Sequence, residues 1–173
     1  MHWLLIDVSG LAGRPGAIQD LSTAGMIGGL RGGLGWVEEG ELVRVDLTFE
    51  SLREGVQVSG TAGGLLHLNC SRCLVDYEQE FERKLDEIFY FDAGEAEERE
   101  GYEVHGKVVD LEPMLRDAIV LGIPVKPLHD VDCRGLCPVC GMDLNVGHCA
   151  HGRGEVDPRW APLRKLMEKS EGS

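Results

Sequence analysis

A chain of 173 residues with a formal net charge of −13 is long enough to bury a core and too acidic to be drawn nonspecifically to a phosphate backbone. Its 24 glycines, about twice the average usage of ~7%, and its few aromatics favour strands and turns over a long-helix bundle. The opening Met1-His2-Trp3-Leu4-Leu5-Ile6-Asp7 is too short an apolar run for a signal peptide, and nothing approaches the ~18 apolar residues of a membrane span, so the expected location is a reducing cytoplasm.

In chain order, Leu4 to Val8 suits a short strand, and the glycine-rich residues 10–36 read as loop. Within them, Gly28 to Gly35 lacks the Gly-Lys-Ser/Thr ending of a phosphate loop and reads as a flexible connection. From Leu42 to Phe49 the apolar residues fall on odd positions, which is the period of a half-buried strand. Val56 and Val58 begin another; Leu66, Leu68 and Cys70 keep its parity past three glycines, and Val75, Tyr77, Phe81 and Leu85 return. Cys70 and Cys73 therefore fall near a hairpin tip. Residues 81–91 also satisfy a helical stripe, and Glu95 to Glu103 reads as an acidic loop. Asp110 is placed to cap a helix to about residue 121, ended by Pro124 and Pro127, and Asp157 to cap a last helix with Pro158 at its first position.

The charge is uneven. Residues 76–103 hold twelve acids against Arg83, Lys84 and Arg99, whereas residues 126–173 hold seven of each sign. The fold class expected is α+β: antiparallel strands, as an open sheet or partial barrel, packed with a few helices and followed by a zinc-knuckle C-terminal segment. The chain divides into a β-rich core over 1–125 and a metal-binding tail with a terminal helix over 126–173, the tail not independent of the core.

All six cysteines fall into two groups, each completed by a histidine. Cys70 and Cys73 pair with His129 and Cys133; Cys137 and Cys140 pair with Cys149 and His151. In a reducing compartment Cys-x-x-Cys spacing points to metal or redox chemistry rather than a disulfide framework. Zinc takes four thiolate and imidazole ligands in a tetrahedron, and a tight knuckle turns two sulfurs toward one ion. The local group is the stronger signal; the other is split by the 55 residues between Cys73 and His129. A rival partition joins the two knuckles in one ribbon around one ion, but it strands Cys133, Cys149 and His151, so two ions are preferred. His148 competes with His151 as a ligand, while His2, His67 and His105 have no cysteine at ligand spacing.

Five residue runs then resemble the YceD-type family of bacterial proteins associated with accumulation of the large-subunit ribosomal RNA. They are Cys70-Ser71-Arg72-Cys73-Leu74, Asp110 to Pro113 with Ile119 to Pro124, Gly135 to Asn145, and Asp157 to Leu163, within about two thirds of the chain. Members usually show Cys-x-Arg-Cys-Leu, and many have Cys or His where His129 stands and Cys where Cys133 stands. Only some carry the Cys-Pro-x-Cys-Gly tail, commonly with Cys where this chain has His151, a substitution of one zinc ligand for another. The resemblance implies a noncatalytic metal-binding factor supporting maturation of that RNA.

Partners follow from charge. An acidic chain suits a basic ribosomal protein or an assembly factor. RNA could instead be met by Arg153, Arg159, Arg164, Lys165 and Lys169, a patch diluted by Glu155, Asp157 and Glu168. No membrane and no small-molecule substrate is expected. A thiol oxidoreductase would need a helix after Cys137-Pro138-Val139-Cys140, which Gly141 does not start, and a zinc hydrolase would need an open coordination position that four ligands close.

Overall fold

The computed structural model describes residues 3–151. Contacts group the chain into two compact units, one of Met1–Ser71 with Val75–His129 and one of Arg72–Leu74 with the segment from Asp130 onward.

The first unit is built on a nine-stranded sheet: β1 (Leu5–Asp7), β2 (Ile18–Gly25), β3 (Arg31–Gly32), β4 (Gly35–Trp36), β5 (Val43–Ser51), β6 (Gly55–Asn69), β7 (Asp76–Tyr90), β8 (Tyr102–His105) and β9 (Val108–Asp110). Two helices accompany it, α1 (Ala93–Glu98) and α2 (Glu112–Leu121). The order runs β1-β9-β8-β7-β6-β4-β3, with β5 on the other half of β6 and β2 beyond β5. Every pairing is antiparallel except β7 with β8. The sheet curls into an open half-barrel, the partial-barrel alternative of the sequence reading.

Alternation fixes which face is inside. Val43, Val45, Leu47 and Phe49 of β5 are buried, and Arg44, Asp46 and Glu50 between them are exposed. Val56, Val58, Ala62, Leu66 and Leu68 of β6 meet them across the strand pairs and from the next turn of the sheet, as period-two packing requires. Gly60 sits at φ +145, and a Cβ there would stand 2.1 Å from the Asp46 carbonyl oxygen, so only glycine lets β6 cross β5 at this point. Gly64 leaves room for the Phe81 ring, which a Cβ would meet at 3.1 Å.

Helix α2 lays Met114, Leu115 and Ile119 into the core. Asp110 Oδ1 accepts the Glu112 N–H at 3.0 Å, in the role of a capping side chain one residue earlier than the helix's own first flanking position, Leu111. Arg116 pairs with Glu112 at 2.8 Å and donates to the carbonyls of Gly28 and Gly29. The glycine run is thus not a flexible connection but the anchored lead into the β3–β4 hairpin, which pairs with the far end of β6.

Three local readings change. Residues 10–36, expected as loop, contain β2, whose Ile18-Gln19-Asp20-Leu21-Ser22-Thr23-Ala24-Gly25 has almost no apolar alternation because it is an edge strand paired only with β5. Residues 81–91 are strand rather than helix through Tyr90, held by unbroken pairing with β6. The acidic stretch from Glu95 is not all loop: Asp92 caps α1, accepting from the N–H groups of Gly94 and Glu95.

Candidate metal centres

Strands β6 and β7 pair over 15 positions, from Gly55 with Tyr90 to Asn69 with Asp76, and the turn beyond them carries Cys70 and Cys73. Cys70 N–H donates to the Val75 carbonyl at 2.9 Å, closing the turn, and Leu74 takes a left-handed φ of +62. Ser71 N–H donates to the Pro127 carbonyl at 2.8 Å, two residues before His129. Cys70, Cys73 and Cys133 are buried and His129 is exposed.

The second knuckle repeats this turn geometry. Cys137 N–H donates to the Met142 carbonyl at 2.8 Å and Gly141, directly after the second cysteine, has a left-handed φ of +70. Leu136 and Asp143 form a single antiparallel bridge behind it. The N–H groups of Cys140 and, next, Val139 point at the Cys137 sulfur and pull its thiol down to about 6, while Cys149 is pushed up, first by its hydrogen bond with Cys137. A turn of N–H groups aimed at sulfur stabilises thiolate, the form that binds metal.

The ligand atoms of Cys70, Cys73, His129 and Cys133 all lie within 4.8 Å of one another, and so do those of Cys137, Cys140, Cys149 and His151. Two thiolates on one zinc with bonds of ~2.3 Å stand about 3.8 Å apart, so separations of this order suit a shared ion. The two sets could each hold a metal ion. Among the described residues the groups close enough to share an ion are these two, and His148 is in neither. Arg153, Arg159, Arg164, Lys165 and Lys169, with the terminal helix expected from Asp157, lie outside the described residues.

Two residues beside these sets carry roles that spacing does not display. Arg72, between the first two cysteines, sends Nη1 to the carbonyl of Cys133 at 2.8 Å and of Val131 at 3.3 Å, and its own carbonyl accepts the Leu136 N–H at 3.0 Å. Asn145 donates to the Cys133 sulfur at 3.4 Å. Their signal in the sequence is only their place, Arg72 inside the first knuckle and Asn145 in the loop between Cys140 and Cys149. His67, which has no cysteine at ligand spacing, is held by Glu41 at 3.0 Å, stacks on Trp36 and belongs to neither set.

Comparison with known proteins adds a family. Residues 58–167 match the family described as large ribosomal RNA subunit accumulation protein YceD. An uncharacterised protein of Mycobacterium tuberculosis is 36% identical over 171 residues, covering 95% of this chain and 81% of its own. The uncharacterised protein YlbN of Bacillus subtilis is 30% identical over 76% of this chain and 77% of its own. A chloroplastic YCED homolog 1 of Arabidopsis thaliana, named for large ribosomal RNA subunit accumulation, is 36% identical over 38% of this chain and 22% of its own. No solved structure matches the chain. Among the described residues, no helix is long and apolar enough to cross a membrane.

Proposed function

The chain belongs to the YceD family, and from that premise we propose that it is a noncatalytic zinc protein that supports accumulation of the large-subunit ribosomal RNA by binding a basic ribosomal protein. The observation that carries this reading is the composition of the two donor sets, three thiols and one imidazole each. Four protein ligands per ion leave no position for water or substrate, so the metal serves shape rather than chemistry. Zinc fits the donors better than calcium or magnesium, which take oxygen ligands.

The partner reading rests on the outward face of the sheet. On β7 the exposed positions Glu78, Glu80, Glu82 and Asp86 surround a lone Lys84, and on β5 Asp46 and Glu50 share the exposed positions with a lone Arg44. The alternation that buries Phe81, Leu85 and Phe89 places this charge on one broad side. Such a surface attracts a lysine- and arginine-rich protein and repels nucleic acid.

Two measurements test the proposal. The zinc-to-protein ratio of the native chain should be two and should fall to one in each of Cys73→Ser and Cys140→Ser; folded protein free of zinc refutes the metal reading. Association with purified basic large-subunit proteins should weaken steeply as salt rises, and binding indifferent to salt refutes the charge argument.

A further inference from the structure

The hairpin that carries the local donor set also reaches a ligand of the other set. Cys133 belongs to the first set, whereas Asn145 lies in the loop between Cys140 and Cys149 of the second. Asn145 Nδ2 donates to Cys133 Sγ at 3.4 Å and to Asp143 Oδ1 at 2.7 Å, and its Oδ1 accepts the Arg134 N–H at 2.7 Å. Those partners fix which way the amide points. A backbone N–H only donates and a carboxylate only accepts, so the oxygen faces Arg134 and both N–H bonds go to Asp143 and sulfur. The loop is tied to the hairpin as well: Leu144 N–H to the Gly135 carbonyl at 3.0 Å, Asn145 N–H to Asp143 Oδ1 at 2.8 Å, and Gly147 N–H to the Asp143 carbonyl at 3.1 Å, two residues before Cys149.

We propose that Asn145 couples the two donor sets, as a positioning residue whose amide stabilises the Cys133 thiolate while closure of the second set on Cys149 and His151 holds that amide in place. The inference rests on the metal-binding reading given above. An N–H aimed at a ligand sulfur disperses the negative charge left on it and fixes its lone-pair direction. Losing such an outer partner typically weakens metal binding ~10–100-fold. Coupling between binding events is reciprocal, so filling either set should tighten the other by one common factor.

The test is stepwise titration of the full metal-stripped chain with Co²⁺ and Zn²⁺ against a competing chelator, following the cobalt–thiolate charge-transfer band. Cys140→Ser should weaken binding at the first set about tenfold in the native background and cause no further loss once Asn145 is replaced, a closed double-mutant cycle. Asn145→Asp keeps the acceptor for Arg134 and removes the donor to sulfur. It should fold as the native chain does by circular dichroism and move the first-set charge-transfer band to lower energy. Asn145→Ala should give the same shift without adding charge; if it does not fold, Asn145→Asp decides. Equal losses from Cys140→Ser with and without Asn145, or no loss in either background, overturn the coupling, as does an unmoved band. A native chain that takes up no metal refutes the metal reading itself; two ions bound independently refute only the coupling.

Discussion

Replacing Arg72 by alanine removes the side chain that fastens the first knuckle to the segment bearing Cys133. The stronger of its two bonds goes to the Cys133 carbonyl at 2.8 Å, beside a residue only 3% exposed. A hydrogen bond from a charged donor contributes ~1.5–3 kcal/mol, and a buried carbonyl stripped of its partner costs ~1–3 kcal/mol. The bond to the Val131 carbonyl is longer, at 3.3 Å, and exposed, so it adds little. Because the guanidinium is itself exposed, the lower half of the range applies, about 1.5–2 kcal/mol. If that free energy is lost only when the ligands are assembled, metal affinity at the first set falls by about 10–30-fold, at ~1.4 kcal/mol per tenfold. Arg72→Lys keeps one charged donor and should recover part of the loss. The assay is zinc competition with a chromophoric chelator, beside urea denaturation of the loaded chain. Affinity within twofold of native for Arg72→Ala refutes the reasoning, as does Arg72→Lys behaving like Arg72→Ala in a chain that still folds.

Gly60→Ala should destabilise the sheet by ~2–6 kcal/mol in urea denaturation, combining ~1–3 kcal/mol for a glycine-only backbone conformation with ~1–3 kcal/mol for overpacking. Gly40→Ala, at φ +98 with nothing within 4 Å of the added Cβ, should lose only the conformational part. The His67 imidazole should titrate above its ordinary 6.5, raised first by its hydrogen bond with Glu41, and Glu41→Gln should lower it, as followed by NMR. Because the folded value is the raised one, this pair stabilises the fold fully below about pH 6.5 and loses that contribution as pH rises through the folded value. Stripping metal with a strong chelator should convert six masked thiols to six that react with a thiol reagent, and readdition of zinc should mask them again.

The legible parts of this chain are those where burial imposes a period. The alternation from Leu42 to Phe49 and the parity shared by Val56, Val58, Leu66 and Leu68 become β5 and β6 because one face of each strand meets the core. Strand β2 was illegible for the converse reason: at the sheet edge Ile18 is 62% exposed, and on the inward face only Leu21 is a large apolar residue, beside Gln19 and Thr23, so ladder pairing more than an apolar period makes it a strand. The helical stripe within β7 arose because Phe81, Leu85 and Phe89 are four apart, a spacing that also returns to the same face of a strand. The donor sets were legible because cysteine and histidine carry their chemistry in their identity. Arg72 and Asn145 were not, since their roles depend on which carbonyl or sulfur the fold brings within reach.

The two knuckles make the same physical point from opposite sides. Each closes with an N–H to carbonyl bond spanning five residues, and each puts the residue after its second cysteine in the left-handed region, Leu74 at φ +62 and Gly141 at φ +70. For a residue with a Cβ that conformation costs ~1–2 kcal/mol, which a structure retains only where its surroundings over-determine the backbone. The first knuckle caps a hairpin of 15 paired positions, whose ladder dictates the turn whatever residue occupies it. The second stands on the single Leu136–Asp143 bridge, too little pairing to force a strained residue into place. Glycine there removes the strain instead. The same turn is therefore reached by a long ladder at the first knuckle and by residue choice at the second, and only the second route leaves a mark in the identity of the residue itself.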